Sequence, residues 1–145
     1  MAFQALRNQV KVVLEGVSSI QEVRDYPSEA FGGYPAAMVV TTRNESEFQT
    51  TIENKRIYVF TIFLIQLIEK KNERQARRII EGVVDDVIDT FDQDQLLSGV
   101  SLPANETMII VRPALSEIYV WESSGTRYIV AEMELGITVQ FNIEL

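Results

Sequence analysis

From residue 129 to residue 145, every second residue is apolar: Ile129, Ala131, Met133, Leu135, Ile137, Val139, Phe141, Ile143 and Leu145. Between them stand Val130, Glu132, Glu134, Gly136, Thr138, Gln140, Asn142 and Glu144. Strand side chains point alternately to opposite faces, so this pattern predicts one long, half-buried strand. If straight it would run roughly 55 Å, about three times the usual strand length. Gly136 permits a bend. The alternation keeps its phase across it, which argues against a one-residue bulge there. A chain with such a strand must build a sheet beside it and a second layer over its apolar face.

A second strand reads just as strongly. Over Arg56–Ile68 one set of alternate positions carries Ile57, Val59, Phe63, Ile65 and Leu67, and the other carries Tyr58, Phe60, Ile62, Leu64 and Ile68. With both faces apolar, the expected element is a central strand covered on both sides. The covering layer follows at once. Asn72 is a good helix N-cap, with Gln75 three residues on as a capping box requires. Behind it Ala76, Ile79, Ile80, Val83, Val84, Val87, Ile88 and Phe91 recur at helical spacing. Twenty helical residues would span roughly 30 Å. Asp92 with Gln95 is read as capping a short further turn through Leu96 and Leu97, ended by Gly99.

The rest falls into place around these. Phe3, Leu6, Val10, Val13, Leu14 and Val17 predict an N-terminal helix over residues 2–15, stopped at Gly16. A strand is expected from Ile20 to Tyr26. A loop rich in Pro and Gly follows from Pro27 to Pro35, and a strand from Ala36 to Thr42. Arg43–Lys55 is polar, with Phe48 and Ile52 its only large apolar residues, and reads as a long hairpin arm or a loop. Thr107–Val111, Ile118–Trp121 and Tyr128 onward predict three strands. Pro113 separates the first two, and Ser123–Thr126 makes a hairpin turn. The fold class is α+β: a mixed or antiparallel sheet, a long central helix packed on one face, and a short N-terminal helix. The 145 residues form one domain, with no internal repeat or linker.

Composition narrows the chemistry. There is no cysteine and no histidine, which excludes disulfide frameworks, thiol nucleophiles, His-based acid–base catalysis and the usual zinc sites. The net charge of −8 repels phosphate, so tight nucleic-acid binding is not expected, while passage of DNA without adhesion is allowed. The first residues lack an apolar run of signal-peptide type. The longest apolar stretch, Ile57–Ile68, is interrupted by Thr61 and Gln66 and is too short for a spanning helix. The expectation is a protein made in a cytoplasm with no membrane contact.

The motifs present are weak. Asp85-Asp86-x-x-Asp89 matches the magnesium-binding pattern of prenyl-diphosphate enzymes, which are large and all-helical. Here the three aspartates simply fall outside the apolar stripe of one helix. Asp92-x-Asp94 lacks the glycine and glutamate of a calcium loop, since Leu97 and Pro103 occupy those positions. Gly32-Gly33 has no phosphate-binding context. Asn44-Glu45-Ser46 and Asn105-Glu106-Thr107 are formal glycosylation sequons without a secretory signal. Glu132 and Glu134 are the most obvious carboxylate pair, and read as a solvated face rather than an acid–base pair. Trp121 reads as packing beside a turn.

Two features point to assembly. The long strands outrun the core of so small a domain, and such strands find a partner's edge or surface, or else bend. The arm carries both charge signs around Phe48, as suits a polar contact with one anchor. At this point the chain resembles the tail terminator (tail completion) family of long-tailed bacteriophages. The resemblance rests on the N-terminal AFQALRNQVKVVLEGV, the loop and strand GYPAAMVV, the polar arm, RIYVFTIFLIQL, ARRIIEGVVDDVIDTF with DQLLSGV, and the closing strand. It implies a structural virion subunit forming a ring, usually of six, at the head-proximal end of the tail tube. Such a ring ends tube polymerisation and meets the head connector. Implied partners are copies of itself, the tail tube protein and the connector or neck proteins, with DNA passing unbound and no catalytic residue, metal or cofactor. From the residues themselves, Arg43, Glu45, Glu47, Phe48, Lys55 and Arg56 are the expected oligomer or tube interface. Glu132, Glu134 and Glu144 are the expected acidic lumen or solvent face. A neck protein of similar layout, a small ligand-binding α+β module and a carboxylate enzyme are the other readings.

Overall fold

We describe the protein from a computed structural model, which describes residues 2–26, 31–48, 53–69, 72–94, 97, 102, 104 and 106–142. The elements in chain order are α1 (Ala2–Glu15), β1 (Glu22–Arg24), β2 (Ala36–Phe48), β3 (Glu53–Leu67), α2 (Glu73–Gln93), β4 (Glu106–Ser123) and β5 (Thr126–Asn142). The five strands form one sheet in the order β1-β2-β3-β5-β4. Strand β1 lies parallel to β2 and the other neighbours are antiparallel, so the sheet is mixed.

Strands β3 and β5 pair from Glu53↔Asn142 to Leu67↔Tyr128 without a register shift. The alternation along β5 is what holds them in phase: Ala131, Met133, Leu135, Ile137 and Val139 are all buried, and a slip by one residue would turn every one of them outward. No bulge occurs at Gly136. The bulges lie instead in the flanking strands, between Thr41 and Arg43 in β2 and at two points in β4.

Both helices lie on one face. Alternate residues Tyr58, Phe60, Ile62 and Leu64 of β3 join the odd-numbered residues of β5 and the apolar stripes of α1 and α2 in one core. From α1 come Leu6, Val10 and Leu14, all fully buried, while the Phe3 ring meets Tyr58 and Phe60 edge-on at 4.7 and 5.8 Å. From α2 come Ala76, Ile80, Val83, Val84, Val87 and Phe91. The helix begins as its capping residues dictate. The Asn72 side chain accepts a hydrogen bond from the Gln75 N–H at 3.2 Å and donates to the Gln75 side chain at 2.9 Å.

Two expectations change, and one choice left open is decided. Residues 106–123 form one edge strand, not two strands parted by Pro113. Proline is tolerated there because an edge strand has one side with no partner to receive its missing N–H. The polar arm is a paired hairpin: β2 and β3 continue to Phe48↔Asn54. Strand β3 is central in order, yet the helices cover only one of its faces, so its second apolar face has another meaning. The turn expected after Asp92 falls largely outside the described residues, although Leu97 is fully buried. Among the described residues no helix is long and apolar enough to cross a membrane.

The β4–β5 turn is a two-residue loop, with Ser124 at φ 51° and Gly125 at φ 79°. Both angles match the hairpin turn whose twist suits its strands. Gly125→Ala should lower the unfolding free energy by about 1–2 kcal/mol, because a Cβ is disfavoured there. Asn72→Ala should lower it by about 1 kcal/mol through the lost cap. Urea denaturation with an unchanged slope checks both.

Candidate functional site

The register of the sheet maps its uncovered face row by row. Ala36, Ile65, Val130 and Tyr119 form one row across β2, β3, β5 and β4. The next is Met38, Phe63, Glu132 and Glu117; then Val40, Thr61, Glu134 and Ala114; then Arg43, Val59, Gly136 and Arg112. Beyond these, the arm continues through Ile57 and Lys55 of β3. Val59, Ile65 and Val130 are buried, and Met38, Val40, Phe63 and Tyr119 are partly covered. An apolar sheet surface with no helix over it, crossed by a band of charge, is the arrangement of an interaction surface.

One end of this face is aromatic. Trp121 and Tyr128 lie 5.4 Å apart, Tyr128 and Tyr34 5.8 Å, and Tyr34 and Phe31 6.1 Å, all between ring centroids. Burial, reinforced by a hydrogen bond with Tyr128, raises the Tyr34 phenol above its ordinary pKa. The Phe31–Pro35 segment is held in place by charge: the Glu22 carboxylate accepts from the Gly32 N–H and pairs with Arg24 at 2.7 Å. The Arg24 guanidinium lies over the Tyr26 and Phe31 rings at 5.9 and 5.1 Å. The Arg24 hydrogen bond, followed by the Gly32 N–H, holds Glu22 below the usual carboxylate range.

The middle is charged. Glu117 and Glu132 stand opposite each other on neighbouring strands, a disfavoured like-charge pair. Burial, then the charges of Glu132 and Glu117, raise the Tyr119 phenol above its ordinary pKa. Arg43 reaches across β3 to Glu134 at 3.3 Å, and both side chains are 46% exposed. Thr42, the extra residue of the β2 bulge, shares a hydrogen bond with Thr61 at 2.6 Å.

The expected site residues are thus partly gathered and partly scattered. Arg43, assigned to an interface, and Glu134, assigned to a lumen, form one ion pair. Glu132 lies in the neighbouring row. Arg56 sits over the Phe141 ring at 4.8 Å, and Lys55 is half-buried. The backbones of Glu45, Glu47 and Phe48 pair with Ile57, Lys55 and Asn54 at the arm's tip. Glu144 lies outside the described residues. Sequence reasoning missed Arg112 and Glu117, because strands expected at Thr107–Val111 and Ile118–Trp121 left residues 112–117 unassigned to any face; Tyr119 lay in an expected strand, but its face was not assigned. Arg112 and Glu117 fall on opposite parities, and only the bulge between Leu115 and Glu117 brings them to one face, so the sequence carried no signal for it.

Other carboxylates do not converge. Asp85, Asp86 and Asp89 are exposed along α2, and Asp86 accepts from the Ser19 hydroxyl at 2.8 Å. Among the described residues no group of three or more acidic side chains stands close enough to hold a metal ion.

No family model and no curated protein matches the chain. Among solved structures, the chain is similar in outline to one chain of the "Virion of native gene transfer agent (GTA) particle". The identity is 13% and the TM-score 0.40, over 94% of this chain and 91% of that one. At that distance the functional reading rests on this chain's own geometry.

Two measurements test the electrostatics of this face. The lowered Glu22 pKa means its stabilising contacts are present above the ordinary carboxylate range and are lost as pH falls through the folded value. Hydrogen exchange at the Gly32 amide should therefore be protected at neutral pH, exposed on acidification, and unprotected throughout in Glu22→Ala. For Arg43 and Glu134, a double-mutant cycle should give a coupling of no more than about 1 kcal/mol, since both are solvent-screened.

Proposed function

We propose that this chain is a non-enzymatic structural subunit of a virion. It closes with copies of itself into a ring, six-fold by the family resemblance, at the head-proximal end of a phage tail tube. There it ends tube polymerisation and offers the surface on which the head connector docks. The observation that carries the reading is the sheet face on which no helix packs. It is apolar and aromatic at one end, charged through the middle, and extended by a paired arm at the other end. Met38, Val40, Phe63 and Tyr119 on this face stay partly exposed, and a subunit covers them on assembly.

The mechanism is complementarity of surfaces. Contacts of head-to-tail type between copies close into a ring when the rotation between neighbours permits. Arg43, Glu45, Glu47, Phe48, Lys55 and Arg56 at the arm would meet the neighbouring subunit or the tube. Glu132 and Glu134 belong to the same continuous surface, so the lumen and the interface share a boundary. The net charge of −8 lets DNA pass the ring without adhering.

Tail tube protein polymerised with and without this chain tests the proposal, with tube lengths measured by electron microscopy. The chain should cap and shorten the tubes. A variant lacking Ser46–Thr51 should keep its circular dichroism and fail to cap. Tubes of equal length in the presence and absence of the intact chain would sink the reading. Loss of folding in the deletion would instead place the arm in the core.

A further inference from the structure

The outer surface of α2 is charged against the interests of its own helix. Arg74 and Arg78 are exposed near its N-terminus, and Glu81, Asp85, Asp86, Asp89 and Asp92 are exposed toward its C-terminus. The helix dipole favours the opposite arrangement. Arg74 and Arg78 are four residues apart, as are Glu81 and Asp85, and Asp85 and Asp89; each pair repels. Of these seven side chains only Asp86 has a hydrogen bond or ion partner among the described residues.

At the middle of this surface stands Gly82. It is helical and exposed, and an added Cβ would meet nothing within 4 Å. Glycine weakens a helix interior relative to alanine, and nothing in the fold requires it here. What it does permit is the close approach of another backbone. Gln75, Ile79, Gly82, Asp86, Asp89 and Gln93 follow one another at intervals of four, three, four, three and four, the spacing of the seam between two packed helices, with Ile79 as its one large apolar side chain. Ile79 is among the few large apolar side chains left exposed, at 38%.

We propose that this stripe docks on the same stripe of a second copy, the two α2 helices crossing antiparallel at Gly82. Charge selects both partner and direction. Arg78 lies four residues before Gly82 and Asp85 three after it; Arg74 lies eight before and Asp89 seven after, and at about 3.6 residues per turn all four stand on the same flank of the stripe. An antiparallel crossing therefore sets the arginines of each copy beside the aspartates of the other, twice over by two-fold symmetry. A parallel crossing sets like on like. Arg74 and Arg78 line a shallow concavity with Asn72 and Gln75 on each copy. The contact is isologous, so it pairs two subunits or two rings rather than closing a ring. It does not rest on the tube-capping reading, because it is found or missed in the isolated protein.

Analytical ultracentrifugation of the full chain tests it. The wild type should self-associate into assemblies with an even number of copies, more weakly as salt shortens the screening length below about 10 Å. Arg74→Glu with Arg78→Glu, and separately Asp85→Lys with Asp89→Lys, should each weaken association by at least about tenfold. An equimolar mixture of the two double variants should restore it. Gly82→Leu, whose fold circular dichroism verifies, should also lose it. A wild type that stays monomeric overturns the proposal, as does a mixture that fails to recover, or a Gly82→Leu chain that associates like the wild type.

Discussion

The pairing of β3 with β5 is the constraint on which everything else depends. These strands have 15 and 17 residues and share an unbroken register. At about 3.4 Å per residue the paired length is roughly 50 Å, well beyond the roughly 31 Å that α2 can cover. Long strands leave main-chain groups that need partners. In this protein the two longest central strands satisfy each other, and the need passes outward to β2 and β4. Those strands absorb it with bulges and, in β4, with a proline, devices that also discourage indiscriminate edge pairing.

A sheet of this kind has two faces and the chain supplies helices for one. The helix-facing residues of β3 and β5 form a single core with α1 and α2. The other face keeps apolar rows at one end, where Tyr34, Tyr128 and Trp121 cluster, and a charged band through Glu117, Glu132, Glu134 and Arg43. Charge there is held near neutral water rather than neutralised: the one described ion pair on the band is half exposed and of little worth to the fold. That combination is poor for a lone domain and good for a subunit, which is why the open face, and not any single residue, bears the functional reading.

Some elements were legible before any coordinates. The cap on α2 is local chemistry between Asn72 and Gln75, three residues apart, and it forms as the sequence spells it. The hairpin at Ser123–Thr126 is likewise local, because its backbone angles are set within the turn. The period-two run of β5 required a long strand, and one formed. Strand β4 was misread because Pro113 forbids a central strand but not an edge one, and edge position is a property of the assembled sheet. The apolar second face of β3 was read as covered, and Val59 and Ile65 are buried there without a helix over them, since a run of apolar residues reports the need for burial without naming what supplies it. The charged band was only half legible: Glu132 and Glu134 stood out, while Arg43 and Glu117 come to them from strands far away in sequence.

By itself, the sequence determined the α+β class, the two long apolar strands, the capped helix and the absence of cysteine and histidine chemistry. These follow from periodicity, local hydrogen bonding and composition, which act within a few residues. Tertiary structure alone decided strand order, which face the helices cover, and which charges become neighbours. Those depend on pairings between segments as distant as Arg43 and Glu134, where no local preference holds information and only the closed register of the sheet does.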